Sequence, residues 1–366
     1  MKNPYQRQSS FVYGDHTQGR VYKDLETEFV SKDGTSEDNA LKHITLTLDT
    51  FKISPEQLKE MTVLDIGTGR HSLRFHHLGA KEIIHFDISK SHIEQTQRYC
   101  KEKGITTITS IQGDLSEDLL PTEKFDLIYA AGIFQHLNPP SKGLVNWAQS
   151  LKVGGHMYHG FYRSGEWRWF ISALIRKGVE ASSFANIKSH IAVTFGLGNM
   201  EHFQVSRMID DFYTPQQNCF HPNQILHDHA LLGLEPVEID PDRRDYNHEG
   251  GEYFTIGADR IFARKVKPTD VNAAPLQTQH GIDQLTGIEY KEPIIYENIE
   301  LWYELINMYK HGFIPTEIWN AVLINLYRFT RPWEAKYDAY YVYGKEDGRH
   351  KTLNAFLTNL ARTFSQ

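Results

Sequence analysis

The chain has 366 residues, of which 40% are hydrophobic, and a formal net charge of −7. This length and apolar content suit one large domain or two smaller ones, each with a buried core. The net negative charge and the lack of a long basic run disfavour a nucleic-acid partner, because such partners are bound through their phosphates.

The sequence also predicts a cytoplasmic protein. No apolar run approaches the roughly 18–20 residues that a membrane-spanning helix needs, so no membrane association is expected. The N-terminal residues lack the apolar core of a secretory signal. Two cysteines, Cys100 and Cys219, cannot form a disulfide framework and are expected to be reduced thiols.

Residues 1–35 are polar without a clear period, and we interpret them as an N-terminal arm. Residues 36–60 have helical apolar spacing in their first half. From residue 62 onward, short β-type runs alternate with helical stretches, which predicts βαβ units and a parallel sheet with its ligand edge at the strand C-termini. The predicted strands are Thr62–Ile66, Glu82–Asp87, Thr106–Gln112, Phe125–Ala131 and Gly155–Phe161, and the predicted helices are Ser72–Leu78, Lys90–Lys103 and Gly143–Leu151.

After Tyr162 the alternation stops, and strand signals return only at Leu234–Ile239 and Ala258–Lys265. Long interruptions of this kind are usually functional, so we interpret residues 163–232 as an inserted lid with helical patterns of its own at Trp167–Ile175 and Asn223–Leu232. The Trp-rich start of this insertion also fits an interfacial membrane helix, but the acidic balance of the chain favours the lid.

The C-terminal part has a different pattern. Residues 268–289 are rich in Pro, Thr, Gln and Gly and are interpreted as a linker. Residues 290–366 carry apolar stripes at helical spacing, interrupted at Gly312 and Pro315. Such stripes pack on another surface, which is either the main domain or a second copy, and a homodimer through these helices is one hypothesis.

The most informative stretch is the run VLDIGTGRHS from Val63 to Ser72. An apolar strand leads into a glycine turn and then a helix. Glycine at 67 and 69 allows close approach of the backbone to a ligand, and the helix that follows presents free N–H groups. Because many nucleotide-binding turns share this pattern, the acidic residues around it must indicate the ligand.

Three carboxylates end consecutive predicted strands. Asp65 suits a ligand with a cationic amino group and would repel the pyrophosphate of a dinucleotide. Asp87 lies 18 residues after Gly69, where an acid accepts hydrogen bonds from ribose hydroxyls in this type of fold. Asp114, or its neighbouring backbone, can meet an adenine amino group.

These residues resemble the class I S-adenosylmethionine-dependent methyltransferases. The likeness extends to Phe125–Ala130 on the fourth strand, to Gln135-His136-Leu137 at a Glu-His-Leu motif, and to Leu151–Gly155 at the turn that opens the fifth strand. Two residues depart from the family pattern. His71 replaces the usual third glycine, and Gln135 replaces a glutamate, which removes a carboxylate that could serve as a base.

The resemblance implies a Rossmann-like α/β domain over residues 36–267. Its mostly parallel seven-stranded sheet would have helices on both faces, the long helical insertion after the fifth strand and a C-terminal helical extension. S-adenosylmethionine would be the cofactor, and S-adenosylhomocysteine the product. The implied cofactor-binding residues are Asp65, Gly67, Thr68, Gly69, Asp87, Ile88, Asp114, Leu115 and Ala131.

The methyl acceptor should lie at the same edge of the sheet, within reach of His136, His159, Tyr162 and Tyr213. His136 is either a general base or a solvated loop histidine. Tyr213 either lines the acceptor pocket or belongs to an ordinary Asp/Pro turn. Asp126, at the start of the fourth strand, is interpreted as structural.

No metal site is predicted, although the chain has 19 histidines. The densest groups include His227 and His229, which would point to different sides of a helix. The sequence has no H-E-x-x-H motif and no paired-cysteine spacing.

The leading hypothesis is methyl transfer to an O, N or S atom of a small molecule. The alternatives are a methyltransferase acting on tRNA or protein, and a non-catalytic S-adenosylmethionine-binding module whose helical tail recruits a partner. A dehydrogenase is disfavoured because Asp65 and the missing third glycine fit NAD poorly.

Overall fold

The computed structural model describes residues 39–163, 217–220, 222–241, 258–270 and 272–273, together with seven positions between 308 and 319. The chain divides into two compact units. Every described residue up to 273 belongs to the first unit, and the seven later positions belong to the second. The predicted arm, Trp167–Ile175, Tyr213, and most of the predicted linker and C-terminal helices lie outside the described residues.

The first unit alternates strands and helices. Its strands are β1 Thr62–Ile66, β2 Glu82–Asp87, β3 Ile108–Gln112, β4 Phe125–Ala130, β5 Leu151–Arg163, β6 Cys219–Phe220, β7 Leu234–Pro241 and β8 Ala258–Lys265. Its helices are α1 Asn39–Phe51, α2 Pro55–Leu58, α3 Arg70–His77, α4 Lys90–Lys103, α5 Pro140–Ser150 and α6 Pro222–Leu231, and a 3-10 turn covers Phe134–His136. Among the described residues, no helix is both long and apolar enough to cross a bilayer.

The strands form one sheet in the order β3-β2-β1-β4-β5-β8-β7. The pairs from β3 to β5 are parallel, whereas β8 runs antiparallel to both β5 and β7. The prediction of a mostly parallel Rossmann-like sheet is confirmed. The two-residue strand β6 pairs with the end of β5 as an additional strand, which was missed because two residues show no alternation.

Helices cover both faces of this sheet. On one face, Leu48 of α1 and Phe75 of α3 pack with Val63 of β1. On the other face, Trp147 of α5 packs with Leu64 of β1. Neighbouring residues of β1 therefore enter different cores, as the alternation of a strand requires.

Strand β5 begins at Leu151, before the predicted start at Gly155. Leu151 pairs with Phe125, and the register then shifts before His156 pairs with Leu127. Gly154, with a φ of 88°, lies within this shift. The Leu-Lys-Val-Gly-Gly run is therefore an irregularity inside the strand, whereas the sequence suggested a turn in front of it.

A pair of buried histidines joins β5 to α6. The Nε2 atoms of His159 and His229 lie 3.1 Å apart, and the rings stack with centroids 5.1 Å apart. His229 Nδ1 donates to the Ile225 carbonyl at 2.7 Å. In the neutral ring its Nε2 must then accept, so His159 Nε2 carries the hydrogen.

We expect acid to destabilise the protein through this pair. Burial lowers the pKa of His229 from 6.5 to about 4 and lowers that of His159 well below its usual value. Because the folded-state pKa values are depressed, this contribution is complete above pH 6.5 and is lost as the pH falls toward about 4. Each histidine contributes a slope of up to about 1.4 kcal/mol per pH unit in that window.

Urea unfolding of the wild type and of His229→Phe across this pH window measures the effect. The variant should lose less stability on acidification, because it has one titrating group fewer. Equal slopes for the two proteins would contradict the expectation.

In the second unit, the described positions include a turn after Tyr309. Gly312 has a φ of 78°, and its N–H donates to the Tyr309 carbonyl at 2.9 Å. The rings of Tyr309 and Trp319 stack with centroids 4.8 Å apart. The backbone thus turns at the glycine where the sequence predicted a helix end.

Candidate functional site

The carboxyl end of β1 leads into a turn that needs glycine at two positions. Gly67 has a φ of 140° and Gly69 a φ of 85°, values that residues with a Cβ rarely adopt. A Cβ on Gly69 would lie 2.3 Å from Thr96 Oγ1. Gly69 is also the N-cap of α3, and no side chain caps this helix. The start of α3 therefore lies at the carboxyl end of β1, and helix N-termini commonly bind anionic groups.

Asp65 is the most unusual carboxylate of this edge. It is fully buried, and its Oδ2 accepts a hydrogen bond from Ser72 Oγ at 2.5 Å, whereas Oδ1 has no hydrogen-bond partner. Burial raises the pKa of Asp65 to about 7, against the lowering effect of the Ser72 hydrogen bonds. A buried acceptor without a donor is costly, and a cationic group at Oδ1 would remove that cost.

His71, in place of the usual third glycine, lies beside this oxygen. Its Nδ1 is 4.0 Å from Asp65 Oδ1, and its ring centroid is 4.9 Å from that of Tyr129. Burial and the nearby Arg70 lower the pKa of His71 well below its usual value. The imidazole is therefore neutral at physiological pH and gives Asp65 no charged partner.

Asp87 ends β2, the strand next to β1. Its Oδ1 accepts from the Ser89 N–H at 2.6 Å, and its Oδ2 is 3.3 Å from His92 Nδ1. These contacts fix the orientation of the carboxylate. An ionised carboxylate offers about four acceptor sites, so lone pairs remain for ligand hydroxyls.

Asp114 follows β3 and closes a tight loop. Its Oδ1 accepts from the Ser116 N–H at 2.9 Å, and its own N–H donates to Asp118 Oδ2 at 2.6 Å. The preceding Gly113 donates its N–H to the Asp87 carbonyl at 3.1 Å. The loops after β2 and β3 are thereby joined, so the ends of β1, β2 and β3 form one continuous edge with the three acids.

The other predicted cofactor residues lie in the same loops. Thr68 is half-buried in the glycine turn, and Ile88 is half-buried directly after Asp87. Leu115 is buried after Asp114, and Ala131 is half-buried after β4. The described structure therefore places all nine predicted residues at the carboxyl ends of strands β1 to β4.

The loop after β4 is held by a residue that the sequence analysis missed. Asn218 is buried; its N–H donates to the Gln135 carbonyl, and its Nδ2 donates to the Leu137 carbonyl, both at 2.8 Å. The Gln135 side chain is also buried, and its Oε1 has no hydrogen-bond partner. No local pattern in the sequence could reveal Asn218, because its partners are distant in the chain.

Two of the acceptor-side candidates lie together. His136 is buried in the 3-10 turn, and its ring meets the Tyr162 ring edge-on with centroids 5.9 Å apart. Tyr162 pairs with Cys219 of β6, next to Asn218. His136 is therefore not a solvated loop histidine, which was one of its two interpretations.

His159 lies elsewhere. It is fully buried among aromatic rings of the core, 4.8 Å from the Phe134 centroid and 5.7 Å from that of Trp147, and it bonds to His229. This position argues against contact with an acceptor, which corrects the prediction. The sequence placed His159 on β5 but could not show which face of the strand it occupies.

Asp126 has the structural role that was expected. Its Oδ2 accepts from the Thr62 N–H at 2.8 Å, and its Oδ1 accepts from Lys152 Nζ at 2.8 Å. These contacts are at the amino end of the strands, away from the glycine turn. Across the part of the chain that the structure describes, no group of three or more His, Cys, Asp or Glu could hold a metal ion.

Comparison with known proteins gives one family match. Residues 63–155 match the family model of a methyltransferase domain. This segment runs from β1 into β5 and contains the glycine turn, the three acids and the His136 loop.

The curated relatives include the tRNA U34 carboxymethyltransferases of Shewanella baltica (strain OS155) and Shewanella oneidensis. They are 30% and 29% identical to this chain over 107 residues, which is 29% of this chain and 32% of each relative. The chain thus matches less than a third of the length of these relatives.

The similar solved structures include two methyltransferases of low identity. An S-adenosylmethionine-dependent methyltransferase from Mesorhizobium loti is 14% identical, with a TM-score of 0.42 over 63% of this chain and 99% of the other. The 1,6-didemethyltoxoflavin-N1-methyltransferase of Burkholderia thailandensis is also 14% identical, with a TM-score of 0.42 over 72% of this chain and 88% of the other.

Proposed function

We propose that the chain is a class I S-adenosylmethionine-dependent methyltransferase that methylates an O, N or S atom of a small molecule. The match of residues 63–155 to the family model of a methyltransferase domain supports this proposal. The observation that supports the cofactor site best is Asp65 Oδ1, a buried carboxylate oxygen without a donor, next to a glycine turn and one strand away from Asp87. The acceptor class is supported by the net negative charge of the chain and by the contact between the buried His136 and the half-buried Tyr162.

Each group of residues at this edge would bind a different part of S-adenosylmethionine. Asp65 Oδ1 would receive the amino group of the methionine part, and the N–H groups that begin α3 would receive its carboxylate. Asp87 would accept from the ribose hydroxyls. The loop after β3, with Asp114 and Leu115, would hold the adenine.

The cofactor supplies an electrophilic methyl group on a positively charged sulfur. Transfer to a lone pair of the acceptor would break the carbon–sulfur bond and leave its electron pair on sulfur. The protein must therefore align the acceptor and exclude water. An acceptor that arrives protonated also needs a base, and His136 can take that proton at a ring nitrogen.

A second candidate is supported by the relatives. The name tRNA U34 carboxymethyltransferase indicates a nucleic-acid acceptor and a larger transferred group for those proteins. The match covers only part of either chain, and the net charge of −7 does not favour phosphate contacts.

The two candidates are separated by incubating the protein with methyl-labelled cofactor and a cell extract. Small-molecule methylation places the label in the low-mass fraction and survives ribonuclease treatment. Label in the RNA fraction, with binding that weakens steeply at higher salt, would overturn the small-molecule proposal.

The cofactor site is tested by Asp87→Ala. We expect the variant to bind S-adenosylmethionine more weakly by about 1.5–3 kcal/mol, because hydrogen bonds to a charged group are lost. Calorimetry measures the change. Asp126→Ala is the matched control, since it also removes a strand carboxylate with two partners but lies at the amino end of the sheet. Unchanged affinity in Asp87→Ala, or no binding by the wild type, would contradict the site.

A further inference from the structure

A buried histidine beneath the glycine turn has no place in the proposed chemistry. His85 lies on β2, in register with Asp65 of β1 and Ser110 of β3, and is fully buried. Its Nε2 is 2.6 Å from the Gly67 carbonyl oxygen, and its Nδ1 is 3.0 Å from Ser110 Oγ. The ring thus bridges the turn and the third strand.

The partners of the ring define its hydrogen positions. The Gly67 carbonyl can only accept, so His85 Nε2 carries a hydrogen. Burial lowers the pKa of His85 from 6.5 to about 4, so the ring is neutral at physiological pH. In the neutral ring Nδ1 is an acceptor, and the Ser110 hydroxyl donates to it.

The strand β2 holds the turn at several points. Gly67 N–H donates to the Phe86 carbonyl at 3.1 Å, while its carbonyl accepts from His85. The same imidazole lies against the second glycine, because a Cβ on Gly69 would be 3.0 Å from His85 Cε1. His85 therefore bonds to Gly67 and lies next to Gly69, two residues before Asp87 on the same strand.

We propose that His85 is a positioning residue that holds the glycine turn in its binding conformation before the cofactor arrives. Fixing the Gly67 carbonyl sets the peptide planes of the turn, which present N–H groups to the ligand. A turn that is already ordered lowers the entropy cost of binding. This inference rests on the proposed placement of S-adenosylmethionine at this turn.

The test compares three variants by calorimetry with S-adenosylmethionine. His85→Phe fills the space but removes the donor, and we expect affinity to fall by about tenfold or more. His85→Gln places an amide N–H near the former Nε2 position and should stay within about threefold of the wild type. The matched control is His229→Phe, another fully buried histidine that bonds to a backbone carbonyl, and it should leave affinity unchanged.

Melting temperatures, measured beside the affinities, separate an effect on the glycine turn from a general loss of stability. If His85→Phe and His229→Phe both lower the melting temperature but only His85→Phe weakens binding, the loss belongs to the turn. Equal affinity in His85→Phe and the wild type, or equal weakening in both variants, would overturn the proposal.

Nitrogen NMR of the wild type gives a measurement that needs no variant and no ligand. We expect His85 to show hydrogen on Nε2 and a bare Nδ1, and the opposite tautomer would overturn the proposal. A wild type that shows this tautomer but binds no S-adenosylmethionine would refute the proposed function and leave the His85–Gly67 bond established.

Discussion

Replacing Asp65 by asparagine should weaken S-adenosylmethionine binding by about 100-fold and also stabilise the cofactor-free protein. The affinity falls because the variant loses a charged hydrogen bond and turns an amide donor toward the ligand's cationic amino group. The stability rises because the buried carboxylate, with Oδ1 unpartnered, is replaced by a neutral group that can keep the Ser72 contact. We expect a gain on the order of 2 kcal/mol in the free energy of unfolding at pH above 7.

Folding stability and cofactor affinity should change with pH in opposite directions. The pKa of Asp65 is raised by burial from 3.8 to about 7 in the folded state. Its contribution to stability is therefore complete below pH 3.8 and is lost as the pH rises through 7. Binding a cation requires the ionised form, so cofactor affinity should rise up to about pH 7 and then level off.

Calorimetry in buffers of different ionisation enthalpy measures the proton released on binding, and urea unfolding measures the stability. Asp87→Asn is the matched control, because both oxygens of Asp87 already have contacts and its neutralisation should weaken binding without stabilising the protein. A destabilised Asp65→Asn protein, or one that binds normally, would contradict the assignment of Asp65 Oδ1 as the amino-group site.

Replacing His136 by alanine should lower turnover by about 10²–10⁴-fold if the acceptor arrives protonated. Cofactor affinity should stay nearly unchanged, since His136 follows β4 and belongs to none of the three acid loops. The contact with Tyr162 holds the His136 imidazole in place, so the variant loses a base whose position is fixed by the fold.

Single-turnover rates across pH, with an acceptor found in the labelling experiment, give the decisive measurement. His227→Ala serves as the control, because it removes a histidine whose side chain is exposed on α6. A His136→Ala enzyme with the wild-type rate and pH profile would mean that alignment alone drives the transfer.

The cofactor edge could be predicted from sequence because its signals are local. Asp65, Gly67 and Gly69 lie within one short run, and each further acid lies at or just after the end of a strand that the sequence predicted. The alternation of strands and helices then fixes the order of the loops along one edge.

The acceptor side was harder because it depends on tertiary packing. His159 and Tyr162 are both on β5, yet one lies under α6 and the other meets His136. Which residues of a strand face a helix is decided by where that helix packs, and β5 carries a histidine on each face, at His156 and His159, so its local pattern does not distinguish the faces. Asn218 and His85 act through backbone carbonyls that are remote in sequence, and such contacts leave no periodic signal.

Strand β6 has a consequence for how this protein could change. Tyr162 and Arg163 pair with Cys219 and Phe220, so the chain leaves and re-enters the first unit at adjacent backbone positions. When the two ends of a segment are fixed at neighbouring positions, each doubling of its length adds a loop-closure cost of only about 0.6 kcal/mol. A change in the length of the chain between Arg163 and Gln217 therefore costs little free energy, and the strands that carry Asp65 and Asp87 can keep their register.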